Sequence, residues 1–129
     1  EPVYDDLVAD VTGFLLDRAS RAVQAGIPPS RVVVDAGLDL GKSAEHSLAL
    51  LRASPALADL GYPLLLSASN KTFLGSLLDL PVNARRDASL AAAALGVIGG
   101  CRLLRVHDVA GTVRVRNVLE AILSAEGDR

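Results

Sequence analysis

The chain has 129 residues and a formal net charge of −2, with charges of both signs scattered along it, and its length suits a single domain. This charge distribution gives no electrostatic footprint for nucleic acid or for an anionic membrane. Half of the residues are apolar but only 3% are aromatic, so we expect a core of leucine, valine and alanine, as in layered α/β proteins.

Cysteine content and hydropathy favour a cytoplasmic protein without a membrane segment. The single cysteine, Cys101, cannot form an internal disulfide, and the opening stretch EPVYDD is acidic, unlike a signal peptide. The longest weakly apolar run, residues 90–101, is shorter than the ~20 apolar residues that a membrane span needs. Cys101 is interpreted as a small core residue at the start of a strand.

The first predicted helix runs from Asp5 to about Gly26. Gly26 suits the position just after a helix end, and Pro28 and Pro29 prevent the helix from continuing. The apolar residues that recur at helical spacing, and so predict a buried stripe, are Leu7, Val11, Phe14, Leu15 and Ala22.

Three apolar segments, residues 31–36, 62–69 and 101–109, are predicted as strands. They lack alternation between apolar and polar residues, so both faces of each strand are expected to be buried. Four more helices are predicted. One starts at Ala44, with Ser43 as its cap, and Pro55 should end or kink it. The others cover residues 71–80, 84–100 and 112–127, and the apolar face of the last helix consists of Val115, Val118, Leu119 and Ile122.

The predicted order α-β-α-β-α-β-α indicates a parallel sheet with right-handed crossovers in one α/β unit, residues 1–129. Three strands alone would leave two sheet edges uncovered, so we expect either further strands or a second copy to complete the sheet. Polar residues end each strand: Asp35, then Ser69–Asn70–Lys71, then Arg105, His107 and Asp108. Carboxyl ends of parallel strands form one edge, which is where such folds carry their sites.

Asp35 has two interpretations. It could cap the following turn, or it could be a fixed carboxylate that accepts two N–H bonds from a flat heterocycle, with Gly37 and Gly41 letting backbone approach that ligand. Lys42 is interpreted as a solvated lysine at a helix start. The stretch around it is one residue short of a phosphate-binding loop of the P-loop type.

Three further side chains also have alternative interpretations. Lys71 can reach into a site or out to water, and its sequence context favours water. Arg105 and His107 alternate along a strand and suit a phosphate or diphosphate; the alternative is an ion pair with Asp108. His46, in the first turn of a helix, is expected to be exposed.

The segments DAGLDLGKSAEHSLALL, GYPLLLSASNKTFLGSLL and SLAAAALGVIGGCRLLRVHDV, together with the closing helix, resemble the C-terminal half of dihydropteroate synthase. The resemblance covers nearly the whole chain. It implies part of a (β/α)8 TIM barrel, from the helix after strand five through strands six, seven and eight. It also implies a role in folate synthesis. Enzymes of this family condense 6-hydroxymethyl-7,8-dihydropterin diphosphate with p-aminobenzoate and release pyrophosphate, and they are the target of sulfonamides.

By this resemblance, several residues would form a pterin pocket. Asp35 would hold the ring nitrogens of the pterin, and Gly41 would line the pocket. Lys71 would contact the pterin and the edge of the second substrate. Arg105 would stack beside the pterin.

The resemblance also implies binding of the charged groups. Arg105 and His107 would bind the diphosphate, and Ser69 would lie near the p-aminobenzoate carboxylate. Lys71, Arg105 and His107 would be the catalytic residues. The family's Mg²⁺ ligands are expected in the N-terminal half of the barrel, so no metal ligand is assigned to this chain. A homodimer through the last helices is implied as well, and the small side chains of residues 87–98 allow close helix packing.

The chain departs from the family's usual pattern at several positions. Ala36 replaces a proline, Asp39 and Leu40 replace glycine and phenylalanine, and Asn70 replaces an arginine. The carboxylate of Asp39 beside a diphosphate is expected to repel it. These departures leave a second hypothesis: a synthase-like paralog that keeps a pterin or phosphate pocket without making dihydropteroate.

Overall fold

The structure is a computed structural model and describes residues 2–125. Its helices are α1 (Leu7–Gln24), α2 (Ala44–Arg52), α3 (Ser54–Ala58), α4 (Thr72–Leu78), α5 (Arg86–Ile98) and α6 (Val109–Ala125), with 3₁₀ turns at Pro29–Arg31 and Val82–Ala84. Its strands are β1 (Val34–Asp35), β2 (Leu64–Leu66) and β3 (Leu103–Leu104). This order confirms the predicted α/β class and adds α3. Residues 126 and 127 of the predicted last helix lie outside the described residues.

The strands form one parallel sheet in the order β1-β2-β3. Val34 lies beside Leu64, and Leu65 lies beside Leu103. Since all three strands run in the same direction, their carboxyl ends meet at one edge, as predicted. In the following text this is called the carboxyl edge.

Only one face of the sheet is covered within residues 2–125. Val34 is buried, whereas its neighbour Val33 is 45% exposed and Leu103 in β3 is 41% exposed. The prediction that both faces of each strand are buried is therefore wrong for β1 and β3. The described helices shield one face, and the apolar side chains of the other face would be shielded inside a closed barrel or beneath a second layer of helices.

Helix α1 (Leu7–Gln24) is about two residues shorter at each end than predicted, but its first turn is capped by an aspartate and Gly26 lies just beyond its end, as predicted. The Oδ1 atom of Asp6 accepts the N–H of Ala9 at 3.1 Å, and Gly26 adopts a φ of 101° just beyond the helix. Phe14, predicted in the buried stripe, is instead 56% exposed, with the Arg18 guanidinium 4.8 Å from its ring centroid. The residues of α1 that are buried are Val11, Leu15 and Ala19.

Ser43 caps α2, as predicted, and His46 completes the cap. The Ser43 Oγ accepts the His46 N–H at 3.1 Å, while the His46 Nδ1 accepts the Ser43 N–H at 3.2 Å. The His46 ring also meets Tyr4 edge-on, with 5.1 Å between centroids. The prediction that His46 is exposed is thus wrong: the residue is half-buried, with its Nδ1 bonded to the Ser43 N–H and its ring packed against Tyr4. Pro55 lies in the first turn of α3 and confirms the predicted end of α2.

The core between the sheet and the helices is aliphatic apart from one ring. The largest fully buried apolar side chains are Phe73, Leu38, Leu50 and Leu57. Cys101 is buried, as predicted, and burial raises the pKa of its thiol. Strand β3 begins two residues after it, at Leu103, and is shorter than predicted.

Helix α6 packs against α5 but is only partly covered. Gly111 and Thr112 are buried, whereas Val118 is 58% exposed and Ile122 is 56% exposed. The predicted apolar face of this helix therefore remains largely open within residues 2–125. In that same range, no helix combines the length and the apolar character that crossing a bilayer requires.

Candidate active site at the carboxyl edge

The loops that follow the three strands converge at the carboxyl edge, as predicted. Asp35 ends β1, Lys71 precedes α4 after β2, and Arg105 follows β3. Burial lowers the pKa of Lys71, the negative charge of Asp35 opposes this shift and the positive charge of Arg105 adds to it, so these groups act on each other electrostatically. The structure thus brings together side chains that lie 70 positions apart along the chain.

Asp35 makes the turn predicted by one of its two interpretations. Its Oδ1 accepts the N–H of Gly37 at 2.9 Å, and Gly37 has a φ of 71°, a conformation that favours glycine. The other oxygen, Oδ2, accepts no hydrogen bond from residues 2–125, and the residue is exposed. Capping and ligand binding are therefore compatible, because each can use a different oxygen.

Lys42 is part of this loop rather than a solvated lysine, so its predicted role is wrong. Its Nζ donates to the carbonyls of Gly37 at 3.0 Å and Leu40 at 3.1 Å. Burial lowers its pKa, and the charge of Asp35 partly opposes that effect. The ammonium holds together a loop that approaches Asp35.

Lys71 also points into the site, and the prediction that it faces water is wrong. Its Nζ donates to the carbonyl of Leu38 at 2.6 Å. Burial is the main cause of its lowered pKa, while Asp35 and Asp39 oppose the shift. This ammonium therefore bridges the loop after β2 to the loop after β1.

Asp39 has a role that the sequence did not reveal. Its carboxylate accepts the N–H groups of Thr72 at 2.6 Å and Phe73 at 3.3 Å, at the start of α4. Its own N–H donates to the Oγ of fully buried Ser47 at 3.0 Å. These backbone donors stabilise the carboxylate but leave its negative charge in place, so the expectation that Asp39 repels a diphosphate stays a prediction. A signal was present: aspartate tolerates the left-handed conformation, and Asp39 has a φ of 65°.

Ser69 and His107 are joined across the ends of β2 and β3. The Ser69 Oγ lies 2.7 Å from His107 Nδ1 and accepts the backbone N–H of His107 at 3.2 Å. The alternative ion pair of this segment with Asp108 is wrong, because Asp108 binds Arg86 at 2.6 Å instead. The N–H of Gly111 and then Arg86 hold the pKa of the Asp108 carboxyl below its usual range.

Three further residues were singled out from the sequence: Arg105, Gly41 and Asn70. Arg105 is exposed, and its guanidinium forms no ion pair within residues 2–125. Gly41 has a φ of 61°, and its carbonyl accepts from the Tyr4 hydroxyl at 3.5 Å. Asn70, with a φ of 57°, faces α5, where its N–H donates to the Ser89 Oγ at 2.9 Å.

Two cavities flank the carboxyl edge. One of about 590 Å³ lies between α1 and the loop after β1 and is lined in part by Asp35, Gly37 and Lys42. The other, of about 250 Å³, is lined in part by Ser69 and His107. Residues 2–125 contain no group of three or more His, Cys, Asp or Glu side chains that could hold a metal ion, so these residues do not fit a metal site of their own.

A parallel α/β sheet with charged groups at its carboxyl edge and one uncovered face is the arrangement expected for part of a larger α/β protein of the barrel or doubly wound class. Residues 1–107 match the model of a protein family described as "Pterin binding enzyme". The chain is 41% identical over 130 residues to the dihydropteroate synthase of Mycobacterium leprae, covering 96% of this chain and 46% of that protein. It is 42% identical over 127 residues to the "Inactive dihydropteroate synthase 2" of the same organism, covering 98% of this chain and 41% of that protein.

Comparison with solved structures leads to the same family as comparison of sequences. The dihydropteroate synthase of Yersinia pestis, solved with a sulfonamide drug complex, superimposes with a TM-score of 0.93 and 36% identity over 97% of this chain and 46% of that chain. The chain therefore belongs to the dihydropteroate synthase family of pterin-binding enzymes and represents the C-terminal part of its TIM barrel. It spans just under half the length of these relatives.

Proposed function

We propose that this chain supplies the pterin- and diphosphate-binding part of a dihydropteroate synthase of folate biosynthesis. In this reaction the amine of p-aminobenzoate attacks the methylene carbon of 6-hydroxymethyl-7,8-dihydropterin diphosphate. A C–N bond forms, the C–O bond breaks, and pyrophosphate leaves with the electron pair. The observation that carries the proposal is the placement of Asp35, Lys71, Arg105 and His107 at one sheet edge in a member of this family.

Asp35 and Lys71 would hold the pterin. The unused Oδ2 of Asp35 and the second lone pair of Oδ1 can accept two N–H bonds from the pterin ring. Lys71 lies within electrostatic range of that carboxylate and can donate to a ring oxygen or nitrogen beside it. Gly41 would line the pterin pocket.

Arg105 and His107 would act on the leaving group. Negative charge grows on the diphosphate as the C–O bond lengthens, and fixed donors that meet this charge lower the barrier. The exposed Arg105 offers a two-pronged donor, and His107 offers a second one. Binding and donation of hydrogen bonds, rather than covalent chemistry, is the work assigned to this chain.

The remaining features are extensions of this proposal. Ser69 lies beside His107, where the second substrate would approach, and sulfonamides would compete with p-aminobenzoate, in keeping with the sulfonamide complex of the Yersinia pestis relative. Magnesium would be bound by residues outside the described ones and would neutralise diphosphate charge. A cytoplasmic location is favoured by the single cysteine, Cys101.

We also propose a homodimer through α5 and α6. A groove between these helices is lined by Ala94, Arg114, Val115, Val118 and Leu119. Ile122 lies one turn beyond Val118 and is exposed. This surface is called the α5–α6 groove below, and its apolar character favours burial against a second copy.

A second candidate function is pterin or phosphate binding without synthesis. It is favoured by the similarity to the inactive Mycobacterium leprae relative, which equals the similarity to the synthase of that organism. Asp39, Leu40 and Asn70 depart from the family's usual residues, and the Oδ1 of Asn70 accepts a hydrogen bond from the Ser89 hydroxyl at 3.1 Å.

Calorimetric titration of 6-hydroxymethyl-7,8-dihydropterin tests the pterin site directly. Asp35→Asn keeps the turn to Gly37 but places an NH₂ group where Oδ2 would accept, so two donors face each other. We expect a loss of roughly 2–4 kcal/mol, or about 30- to 1,000-fold in affinity. Asp59→Asn, an exposed aspartate after α3, is the matched control and should bind normally.

Arg105→Ala separates the two ends of the ligand. It should weaken pyrophosphate and the pterin diphosphate far more than the free hydroxymethylpterin, because the main partner of Arg105 is charge. Unchanged pterin affinity in Asp35→Asn would contradict the proposed pocket for both candidate functions.

A further inference from the structure

Ser69 and His107 share two hydrogen bonds whose donors and acceptors constrain each other. The backbone N–H of His107 donates to Ser69 Oγ at 3.2 Å, and the same oxygen lies 2.7 Å from His107 Nδ1. The two residues follow different strands, β2 and β3, and meet only because those strands are paired. The contact therefore belongs to the folded site and not to local sequence.

The donor pattern favours one protonation form of the neutral ring. Ser69 Oγ has one hydrogen to donate and two lone pairs, one of which accepts the backbone N–H of His107. With Nδ1 as acceptor, the hydroxyl hydrogen is used within the pair as well. The opposite form, with a proton on Nδ1, would require the hydroxyl hydrogen to find a different acceptor. Within residues 2–125 the Ser69 hydroxyl has no other hydrogen-bond partner.

We propose that Ser69 is a positioning residue that keeps the proton of neutral His107 on Nε2, so that Nε2–H donates to a diphosphate oxygen. The inference rests on the proposed function for its ligand. With the proton on Nδ1, the lone pair of Nε2 would face the oxygen lone pairs of the diphosphate and repel them. Ser69 thus acts through His107 and needs no contact with substrate of its own.

His46 provides an internal reference. It is the other histidine of the chain, and its Nδ1 accepts the N–H of Ser43 at 3.2 Å. A backbone amide can only donate, so His46 must also carry its proton on Nε2 when neutral. The position of the proton on His46 therefore does not depend on Ser69.

Nitrogen NMR of the ¹⁵N-histidine-labelled chain reads the protonation form directly, at an alkaline pH above which the ring signals no longer change. We expect both rings to show protonated Nε2. In Ser69→Ala, His107 should move toward the mixed forms of free imidazole while His46 stays unchanged, and Ser69→Thr should restore His107. An unaltered His107 spectrum in Ser69→Ala, or a proton on Nδ1 in the unsubstituted chain, would overturn the assignment of Ser69.

Pyrophosphate titration tests whether the effect reaches the ligand. Ser69→Ala should weaken pyrophosphate by about 3- to 10-fold, the range of a neutral hydrogen bond that acts through a second group. In a chain that already carries His107→Ala, the same substitution should have no further effect, because residues that act as a unit are not additive. Additive losses would indicate a direct or merely structural role and overturn the proposal.

Ser76→Ala is the matched control, since the Ser76 hydroxyl donates only to the carbonyl of Thr72 within its own helix. It should change neither the spectrum of His107 nor the affinity for pyrophosphate. If the unsubstituted chain holds the proton on Nε2 but does not bind pyrophosphate, the diphosphate as ligand is overturned, together with that part of the proposed function. The two failures are therefore distinguishable.

Discussion

Both lysines of the chain, Lys42 and Lys71, lie at the carboxyl edge, and burial lowers the pKa of each. The carboxylates oppose this effect differently. Asp35 raises the pKa of both lysines, whereas Asp39 is a cause only for Lys71. The difference follows from position, since Asp39 caps the helix that begins right after Lys71.

This difference gives a prediction at the scale of single residues. In ¹³C-lysine NMR, Asp35→Asn should lower the titration midpoints of both lysines, because each loses a stabilising negative charge. Asp39→Asn should lower only that of Lys71. Asp59→Asn should leave both unchanged. Equal shifts of both lysines in Asp39→Asn would contradict the described geometry.

The same lysines set a pH dependence of stability. Because their pKa values are lowered on folding, the unfolded chain binds more protons between the folded and the ordinary lysine pKa. The free energy of unfolding should therefore rise with pH through that alkaline window. Lys71→Met, which is uncharged at any pH, should reduce this rise in urea unfolding series. A slope that is the same in Lys71→Met and in the unsubstituted chain would contradict it.

The site could be predicted from sequence only in part at this scale. Positions at strand ends located Asp35, Lys71 and Arg105 correctly, because a parallel sheet gathers those ends. The direction of Lys42 and Lys71 could not be predicted, since their acceptors are carbonyls that the folded loop presents. The roles of individual side chains toward substrate stay predictions.

At the scale of elements, Asp39 ties the loop after β1 to the start of α4. One side chain satisfies two N–H groups that a helix start leaves without partners. Lys71 makes a second tie in the opposite direction, from α4 back to the carbonyl of Leu38. These paired ties fix the spacing between the strands that carry Asp35 and Lys71.

Replacing Asp39 tests this tie. Asp39→Gly suits the φ of 65° and removes only the side-chain bonds, so we expect a loss of about 0.5–2 kcal/mol in the free energy of unfolding. Asp39→Ala should lose roughly 1–2 kcal/mol more, because alanine is strained in that conformation. Urea unfolding monitored by circular dichroism measures both.

Asp79 offers a matched control. It has a φ of 52° at the end of α4, and no hydrogen bond to its side chain occurs within residues 2–125. Asp79→Gly should be neutral or slightly stabilising, because it only relieves backbone strain. If both glycine variants changed stability equally, Asp39 would be a turn residue and not a tie.

The order of helices and strands was predictable, because apolar runs, proline and glycine mark it. Strand length was not: β3 was predicted over residues 101–109 and covers Leu103–Leu104. Burial of both strand faces was also overestimated. An apolar strand sequence reflects the environment of a whole barrel, whereas the burial of Val33 depends on elements that these residues do not include.

At the scale of the whole molecule, the open sheet face is expected to prevent catalysis by this chain alone. Val33 and Leu103 face solvent within residues 2–125, so water reaches the interior side of the carboxyl edge. We expect no dihydropteroate from the purified 129-residue chain in a coupled assay. A measured turnover by this chain alone would refute the expectation.

A chimera separates the two candidate functions. Residues 2–125 would replace the matching part of the Yersinia pestis enzyme, whose fold they share with a TM-score of 0.93. A synthase should form dihydropteroate in this setting, and Asp35→Asn should abolish it. Tight pterin binding without turnover would favour the non-synthesising paralog instead.

Association is predicted through the α5–α6 groove. The chain should sediment as a dimer at micromolar concentration, and Ile122→Asp should yield monomers, because a charge in a buried apolar contact is costly. Val113→Asp is the control, since Val113 lines a different groove of the same helix, beside β3. A dimer that persists in Ile122→Asp and dissociates in Val113→Asp would place the interface elsewhere.

Because both lysines lie at the carboxyl edge, the chemistry used to immobilise the chain for binding measurements on a sensor surface matters. Coupling through primary amines would link the chain by its amino terminus or by the ammonium groups that shape the candidate pocket. A molecule attached at Lys71 would present a blocked site and give a false negative for every ligand discussed. A tether at the far end of α6, or a biotin tag beyond it, leaves that edge free.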